Sequence, residues 1–135
     1  DSNPNGHENR SCEYAKVLLA QFDFSSEFIE AVCKAIEATD SKVEPDTKEG
    51  LVVRNADAYS HLTSIHFFAK AYFASDIESF IEWFDKKIES TFDKISIPEL
   101  REEVETRVKA YRKMIDLYND GNVESVDGLC SLLFE

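Results

Sequence analysis

The chain has 135 residues, of which 43% are hydrophobic and 12% aromatic, and its formal net charge is −12. This length suits one domain with its own core, and the composition excludes an intrinsically disordered segment. The acidic charge and the lack of a basic run argue against nucleic acid as a partner, and no apolar run is long enough to predict a membrane span.

Helical periodicity predicts an all-α protein, a compact bundle of about five to six helices forming one domain over residues 1–135. Four Gly and three Pro are too few for the many turns of an all-β fold. The first three predicted helices cover about 7–21, 26–38 and 46–74. A fourth begins at a capping box over 75–78, and a fifth begins at a second capping box over 96–99 and ends near 119–121. A short last element covers about 124–134.

The apolar stripes of these helices predict the core. Residues expected to face it include Leu18, Phe22, Phe28, Leu51, Val52, Ile65 and Tyr72. The aromatic residues Phe67, Phe68, Trp83 and Phe84 exceed what one small core needs, which indicates a possible homo-oligomer.

Three cysteines, Cys12, Cys33 and Cys130, form no CxxC pair and are odd in number. This pattern predicts free thiols in a reducing, intracellular protein, and we expect a cytoplasmic location. The chain begins at Asp1 and its one methionine is Met114, so we expect further polypeptide upstream of Asp1.

Asp57 interrupts an apolar run over residues 49–62. A carboxylate among hydrophobic side chains is costly to bury unless a cation or hydrogen bonds compensate it, so Asp57 is a candidate metal ligand. The alternative is an aspartate on the solvent-facing edge of a helix. His61 follows at i+4 and can reach the same cation, although for both His61 and His66 a structural role is expected.

Two segments together resemble the HD-domain superfamily of metal-dependent phosphohydrolases. They are His7-Glu8-x-x-Ser11 at the start of a helix and Glu49-Gly50 … Asn55-Ala56-Asp57. The resemblance covers about residues 7–75, with 76–135 as additional helices. It implies an all-α fold in which a His, a His-Asp doublet and a final Asp hold one or two divalent metal ions.

By this resemblance Asp57 is a metal ligand, His7 is a catalytic acid/base or phosphate-orienting group, and Arg54 contacts a substrate phosphate. The implied cofactor is a divalent metal ion (Mn, Mg, Fe, Ni or Zn), and the implied partner is a small phosphorylated substrate. The expected function is therefore hydrolysis of a nucleotide or small phosphate ester.

The chain departs from the family pattern at Asn55, Ala58 and Ser60, and it contains no His-Asp doublet. Either the missing ligands lie upstream of Asp1, or the site is degenerate. The alternative function is accordingly a non-catalytic helical binding or interaction domain. A third possibility is an acidic helical bundle unrelated to that superfamily.

Overall fold

The computed structural model describes residues 6–121, and over this range it contains six helices and no strand. The all-α prediction is confirmed, whereas the element predicted at 124–134 lies outside the described residues. None of the described helices is both long and apolar enough to cross a membrane. The helices are α1 (His7–Ala20), α2 (Ser26–Glu37), α3 (Lys48–Thr63), α4 (His66–Ala71), α5 (Ile77–Phe92) and α6 (Pro98–Asn119).

The chain divides into two compact units, Asp1–Asp57 and Ala58–Glu135, here called unit 1 and unit 2. The division falls within α3. The prediction of a single domain over 1–135 stays a prediction, and the two units are best understood separately because their interiors differ in kind.

Unit 1 contains a helical hairpin, since α1 and α2 pack against each other and only residues 21–25 join them. Cys12 from α1 and Cys33 from α2 are buried in this hairpin. Ala38, directly after α2, is the other buried hydrophobic residue of the described part of unit 1. The interior of this unit is therefore small.

The loop between α2 and α3 is fastened to the start of α3 by polar contacts. Thr47 Oγ1 accepts a hydrogen bond from the Gly50 N–H at 3.0 Å, as a helix-capping hydroxyl does. The Arg54 guanidinium donates to the Val43 carbonyl oxygen. A Cβ atom on Gly50 would lie 3.2 Å from that of Ala38, so the absence of a side chain allows this close approach.

Unit 2 is built around aromatic rings. Phe67 from α4 and Phe84 from α5 are fully buried, with ring centroids 5.3 Å apart in an edge-to-face arrangement. Tyr111 of α6 packs against both, and its hydroxyl donates to the Leu62 carbonyl oxygen at 2.9 Å. Trp83 packs on the edge of this cluster. The sequence predicted more aromatic rings than one core needs, but in the structure Phe67 and Phe84 lie in the core of unit 2, and Phe68 and Trp83 pack against it.

The third predicted helix, 46–74, is in fact two helices. The Ser64 hydroxyl accepts a hydrogen bond from the His66 N–H at 3.2 Å, and a serine side chain that bonds the backbone in this way competes with the helical ladder. After the break Phe67 is fully buried. Ile65 and Tyr72, both predicted to face the core, are 74% and 84% exposed.

The two predicted capping boxes also differ in detail. Asp76, not Ser75, caps α5, and its carboxylate accepts from the Ser79 N–H at 2.7 Å. That bond and the Ser75 hydroxyl lower the pKa of Asp76. Ile97 occupies the N-cap position of α6 with no side-chain cap, and Pro98 is the first helical residue, where its missing N–H costs nothing.

Candidate binding surface

Asp57, the predicted metal ligand, lies half-buried in α3, one helical turn before His61. The His61 ring stacks on that of His66, with centroids 4.1 Å apart. Among residues 6–121 no group of three or more His, Cys, Asp or Glu side chains is arranged to hold a metal ion. The described residues therefore place Asp57 without a ligand set around it.

His7, the predicted catalytic residue, is exposed in the first turn of α1. Its Nε2 lies 3.0 Å from the Glu8 Oε1 atom. Arg54, the predicted phosphate contact, is only 9% exposed. The polar contact of His7 is with Glu8 and that of Arg54 is with the Val43 carbonyl oxygen.

The exposed apolar residues of unit 1 form a different kind of candidate. Phe22, Phe24 and Phe28, at the turn between α1 and α2, are 67%, 46% and 47% exposed. We call these three residues the aromatic turn. Phe28 and Phe22 were both predicted to be core residues, and that prediction is wrong for each of them. With about 200 Å² per phenylalanine, the aromatic turn exposes roughly 300 Å² of apolar surface, the size at which exposed patches are often functional.

A tight backbone turn holds the aromatic turn in place. The Asp23 N–H bonds to the Ala20 carbonyl oxygen and the Phe24 N–H to that of Leu19, both at 3.3 Å, which is the paired hydrogen-bond pattern of a Schellman motif. Asp23 takes the left-handed conformation that this motif requires, with φ of 57°. Glycine usually occupies this position, so an aspartate here is strained.

A helix cap at Ser25 and the stacking of two phenylalanine rings fix the part of the turn that leads into α2. The Ser25 hydroxyl accepts from the Phe28 N–H at 3.2 Å and so caps α2. The rings of Phe24 and Phe28 stack with centroids 4.9 Å apart and planes inclined by 21°. The two rings are already stacked in the unbound protein. Less side-chain entropy is therefore lost when a partner binds to them.

The charged residues that flank the aromatic turn in sequence are all acidic. Between Lys16 and Lys34 the sequence contains no Lys, Arg or His, and its charged residues are Asp23, Glu27 and Glu30. A hydrogen bond from the backbone N–H of Glu27 itself, and further bonds from Ser25 and Ser26, lower the pKa of Glu27. This carboxylate therefore stays ionised below its ordinary range, and the surface presents negative charge beside aromatic rings.

Helix α1 has uncovered apolar surface as well. It is apolar on two opposite sides, because Cys12, Ala15 and Leu19 lie on the buried side while Tyr14, Val17 and Leu18 lie on the exposed side. A helix in a hairpin needs only one apolar side to pack on its neighbour. This double stripe is visible in the sequence, and it was the available sign that unit 1 exposes hydrophobic residues.

Two grooves in the described part of the chain are further candidate sites. One, of about 420 Å³, is lined by residues that include Lys16, Ile29 and Lys34. Both lysines face carboxylates, Lys16 at 2.8 Å from Glu13 and Lys34 at 3.6 Å from Asp46, so an anion would compete with these ion pairs. The other, of about 330 Å³ in unit 2, lies beside Trp83 and Lys70. Neither groove combines a charge bias with apolar surface as the aromatic turn does.

No family model matches this chain, and neither a curated protein nor a solved structure matches it. The fold and the geometry of the surface are therefore the basis for a functional proposal.

Proposed function

We propose that this protein is a helical protein-binding domain that uses the aromatic turn to bind a basic, amphipathic helical segment of a partner. The observation that carries the proposal is the exposure of Phe22, Phe24 and Phe28 in a stretch of sequence, residues 17–33, whose charged residues are all acidic. A non-catalytic helical binding or interaction domain is also the alternative function expected from the sequence, where it was tied to a degenerate HD-type site.

The apolar part of the proposal rests on what aromatic residues contribute to interfaces. Phenylalanine rings provide a large contact area with few rotatable bonds, and a few such residues supply most of the energy of a typical interface. A surface of this size is smaller than the roughly 800 Å² per partner of a stable complex. We therefore expect a short partner segment and an affinity on the order of micromolar.

The charge selects the partner. Asp23, Glu27 and Glu30 favour Lys and Arg beside the apolar residues of a partner, and they oppose an acidic surface. A second copy of this chain would bring the same carboxylates to the contact, and anionic lipid would bring phosphates. A basic partner segment is the occupant that satisfies both the rings and the acids.

Titration calorimetry with a synthetic amphipathic helix of leucine and lysine tests the proposal. We expect binding that weakens at least tenfold in the double variant Phe24→Ser/Phe28→Ser. It should also weaken severalfold in Glu27→Gln/Glu30→Gln, and added salt should reduce the affinity of the wild type. A peptide with glutamate in place of lysine should not bind.

Matched variants separate the aromatic turn from exposed rings in general. Tyr72→Ser/Phe73→Ser removes two aromatic residues of unit 2 that are more exposed than those of the aromatic turn, and it should leave peptide binding unchanged. Equal loss in both double variants, binding of the glutamate peptide, or preferential binding of neutral lipid vesicles would overturn the proposal.

The metal-dependent phosphohydrolase implied by the HD-domain resemblance stays a prediction, as do its small phosphorylated substrate and its divalent cofactor. Asp57 is the residue through which it is tested. If the prediction is right, Asp57→Ala reduces both bound metal and phosphate-ester hydrolysis in the protein purified with any upstream sequence. The control Asp93→Ala changes an exposed aspartate at the end of α5 and should affect neither.

A further inference from the structure

Cys12 and Cys33 approach each other reciprocally across the helical hairpin of unit 1. The Cys12 Sγ atom lies 3.5 Å from the Cys33 carbonyl oxygen, and the Cys33 Sγ atom lies 3.7 Å from the Cys12 carbonyl oxygen. Each thiol is thus in contact with the backbone of the other residue. Both side chains are buried, at 3% and 6% exposure, so they lie side by side in the interior.

The position of the pair in the hairpin explains this geometry. Cys12 lies eight residues before the end of α1, and Cys33 lies seven residues after the start of α2. Two positions at nearly the same distance from the turn of a helical hairpin lie at about the same level along the two helices, so their side chains can meet in the interface. The pairing is therefore a property of the hairpin itself.

The pair also occupies the place of a core. The buried hydrophobic residues in the described part of unit 1 are Cys12, Cys33 and Ala38, which is too little apolar burial for a unit of this size. Small units with so thin an interior are commonly held by a disulfide or a metal.

We propose that Cys12 and Cys33 form a disulfide bond that joins α1 to α2. The oxidant we name is a low-molecular-weight disulfide of the glutathione class. One cysteine thiolate attacks a sulfur of this disulfide and releases a thiolate. The second cysteine then attacks the mixed disulfide, the Sγ–Sγ bond forms, and a second thiolate leaves. The cysteine pair loses two electrons and two protons, and the reagent becomes two thiols.

The surroundings of Cys12 make this reaction slow once the hairpin has formed. Burial, and then the adjacent Cys33 and Glu37, raise the pKa of the Cys12 thiol to about 11. Little thiolate is therefore present near neutral pH, and the thiolate is the nucleophile. The bond should form readily while the chain folds, and in the folded dithiol its rate should rise steeply with pH. Once closed, the buried bond is protected from attack by external thiols.

Peptide mapping of the full chain tests the proposal directly, because trypsin places each cysteine in a separate peptide. Cleavage after Arg10, Lys16, Lys34 and Lys113 gives 11–16 with Cys12, 17–34 with Cys33 and 114–135 with Cys130. The reduced, unfolded chain is refolded with oxidised glutathione at about pH 8, where thiolates form readily, and treated with iodoacetamide. We expect 11–16 and 17–34 joined, with the loss of two hydrogen atoms, and 114–135 alkylated.

Three results would overturn the proposal: all three peptides alkylated, Cys130 joined to either partner, or stable glutathione adducts on Cys12 or Cys33. The first of these would support the free thiols predicted from the sequence. Because the mapping uses the wild-type chain, it needs no variant to fold.

Thermal unfolding provides a second measurement. The bond closes a loop of about 20 residues, for which we expect a rise in melting temperature of roughly 10 °C relative to the reduced chain. Cys130→Ser should keep this rise. In Cys33→Ser the chain treated with oxidant and the reduced chain should melt at the same temperature. A rise of the same size in Cys33→Ser would show that the oxidant acts elsewhere and would contradict the proposal.

Discussion

The two units place their large hydrophobic residues in opposite ways. In the described part of unit 2 the rings of Phe67, Phe84 and Tyr111 are buried together, and only Ile65, Tyr72 and Phe73 are exposed large hydrophobics. Ten large hydrophobic residues are exposed in the described part of unit 1, including those of the aromatic turn. Unit 2 uses its hydrophobic residues for folding, whereas unit 1 presents them to solvent.

This difference shows how one chain separates stability from recognition. In unit 2 a dense aromatic core, with apolar side chains of α4, α5 and α6, provides the apolar burial that holds these helices together. Unit 1 instead relies on local devices: the Schellman turn at Asp23, the helix caps, the Arg54 bond to Val43, and the pair of cysteines. Such devices keep the aromatic turn in shape while leaving it uncovered.

The largest expected effect is the removal of a ring from unit 2. Phe84→Ala deletes a fully buried side chain that contacts four other rings, and we expect a loss of about 3–5 kcal/mol in the free energy of unfolding. Phe28→Ala, the matched change in unit 1, should alter it by less than about 0.5 kcal/mol. Urea unfolding followed both by the fluorescence of Trp83, the one tryptophan, which reports on unit 2, and by circular dichroism, which reports on the helices of both units, measures the two changes.

If Phe28→Ala destabilised the protein as much as Phe84→Ala, the phenylalanine of unit 1 would be a core residue and the contrast between the units would fail.

A smaller effect is expected where unit 1 is tightly packed. Gly50→Leu places a side chain where Ala38 and Thr47 already lie at 3.2 Å and 3.0 Å from a Cβ position, so these neighbours must shift. Overpacking of this kind costs about 1–3 kcal/mol. The control Ala56→Leu adds the same side chain to an exposed position of α3. Urea unfolding followed by circular dichroism should show a lower midpoint for Gly50→Leu alone.

Equal midpoints for these two variants would mean that Gly50 is not needed for close packing.

The buried hydroxyl of Tyr111 gives a prediction for alkaline pH. Tyr111→Phe removes the bond to the Leu62 carbonyl oxygen and should cost about 1 kcal/mol near neutral pH. Burial raises the pKa of Tyr111, so the unfolded chain ionises first, at about pH 10. Wild-type stability should therefore be constant below that pH and fall as the pH rises above it. The fall should be shallower in Tyr111→Phe and unchanged in the control Tyr72→Phe, when unfolding is measured from about two pH units below this value to about one unit above it.

The helices were predictable because their signals are local. Pro98 opens α6, and Gly121, with φ of 74°, follows its end, where the sequence placed the helix terminus. The break between α3 and α4 was missed because it depends on a hydroxyl, that of Ser64, which bonds the backbone only in the folded arrangement. A periodic apolar stripe continues through the break, and periodicity alone does not show it.

The candidate surface was harder to predict than the fold. The apolar spacing of Phe28 with Ile29 and Val32 identifies a stripe on α2, but whether another element covers that stripe is decided by tertiary packing. The same limit applies to Asp57. Its place on a helix follows from its neighbours in sequence, whereas a metal site depends on ligands from several elements.

The smallest expected effect is at Asp23, where the stability of unit 1 and its proposed binding role can be separated. Asp23→Gly relieves the left-handed backbone strain and should stabilise the protein by about 0.5–1 kcal/mol, measured by urea unfolding. The same change removes a carboxylate from the aromatic turn, so the leucine–lysine peptide should bind about twofold to fivefold more weakly. Asp23→Asn removes the charge but keeps a side chain that tolerates this conformation, and it should weaken binding equally with little change in stability. If Asp23→Gly weakened binding far more than Asp23→Asn, the shape of the turn rather than its charge would govern recognition.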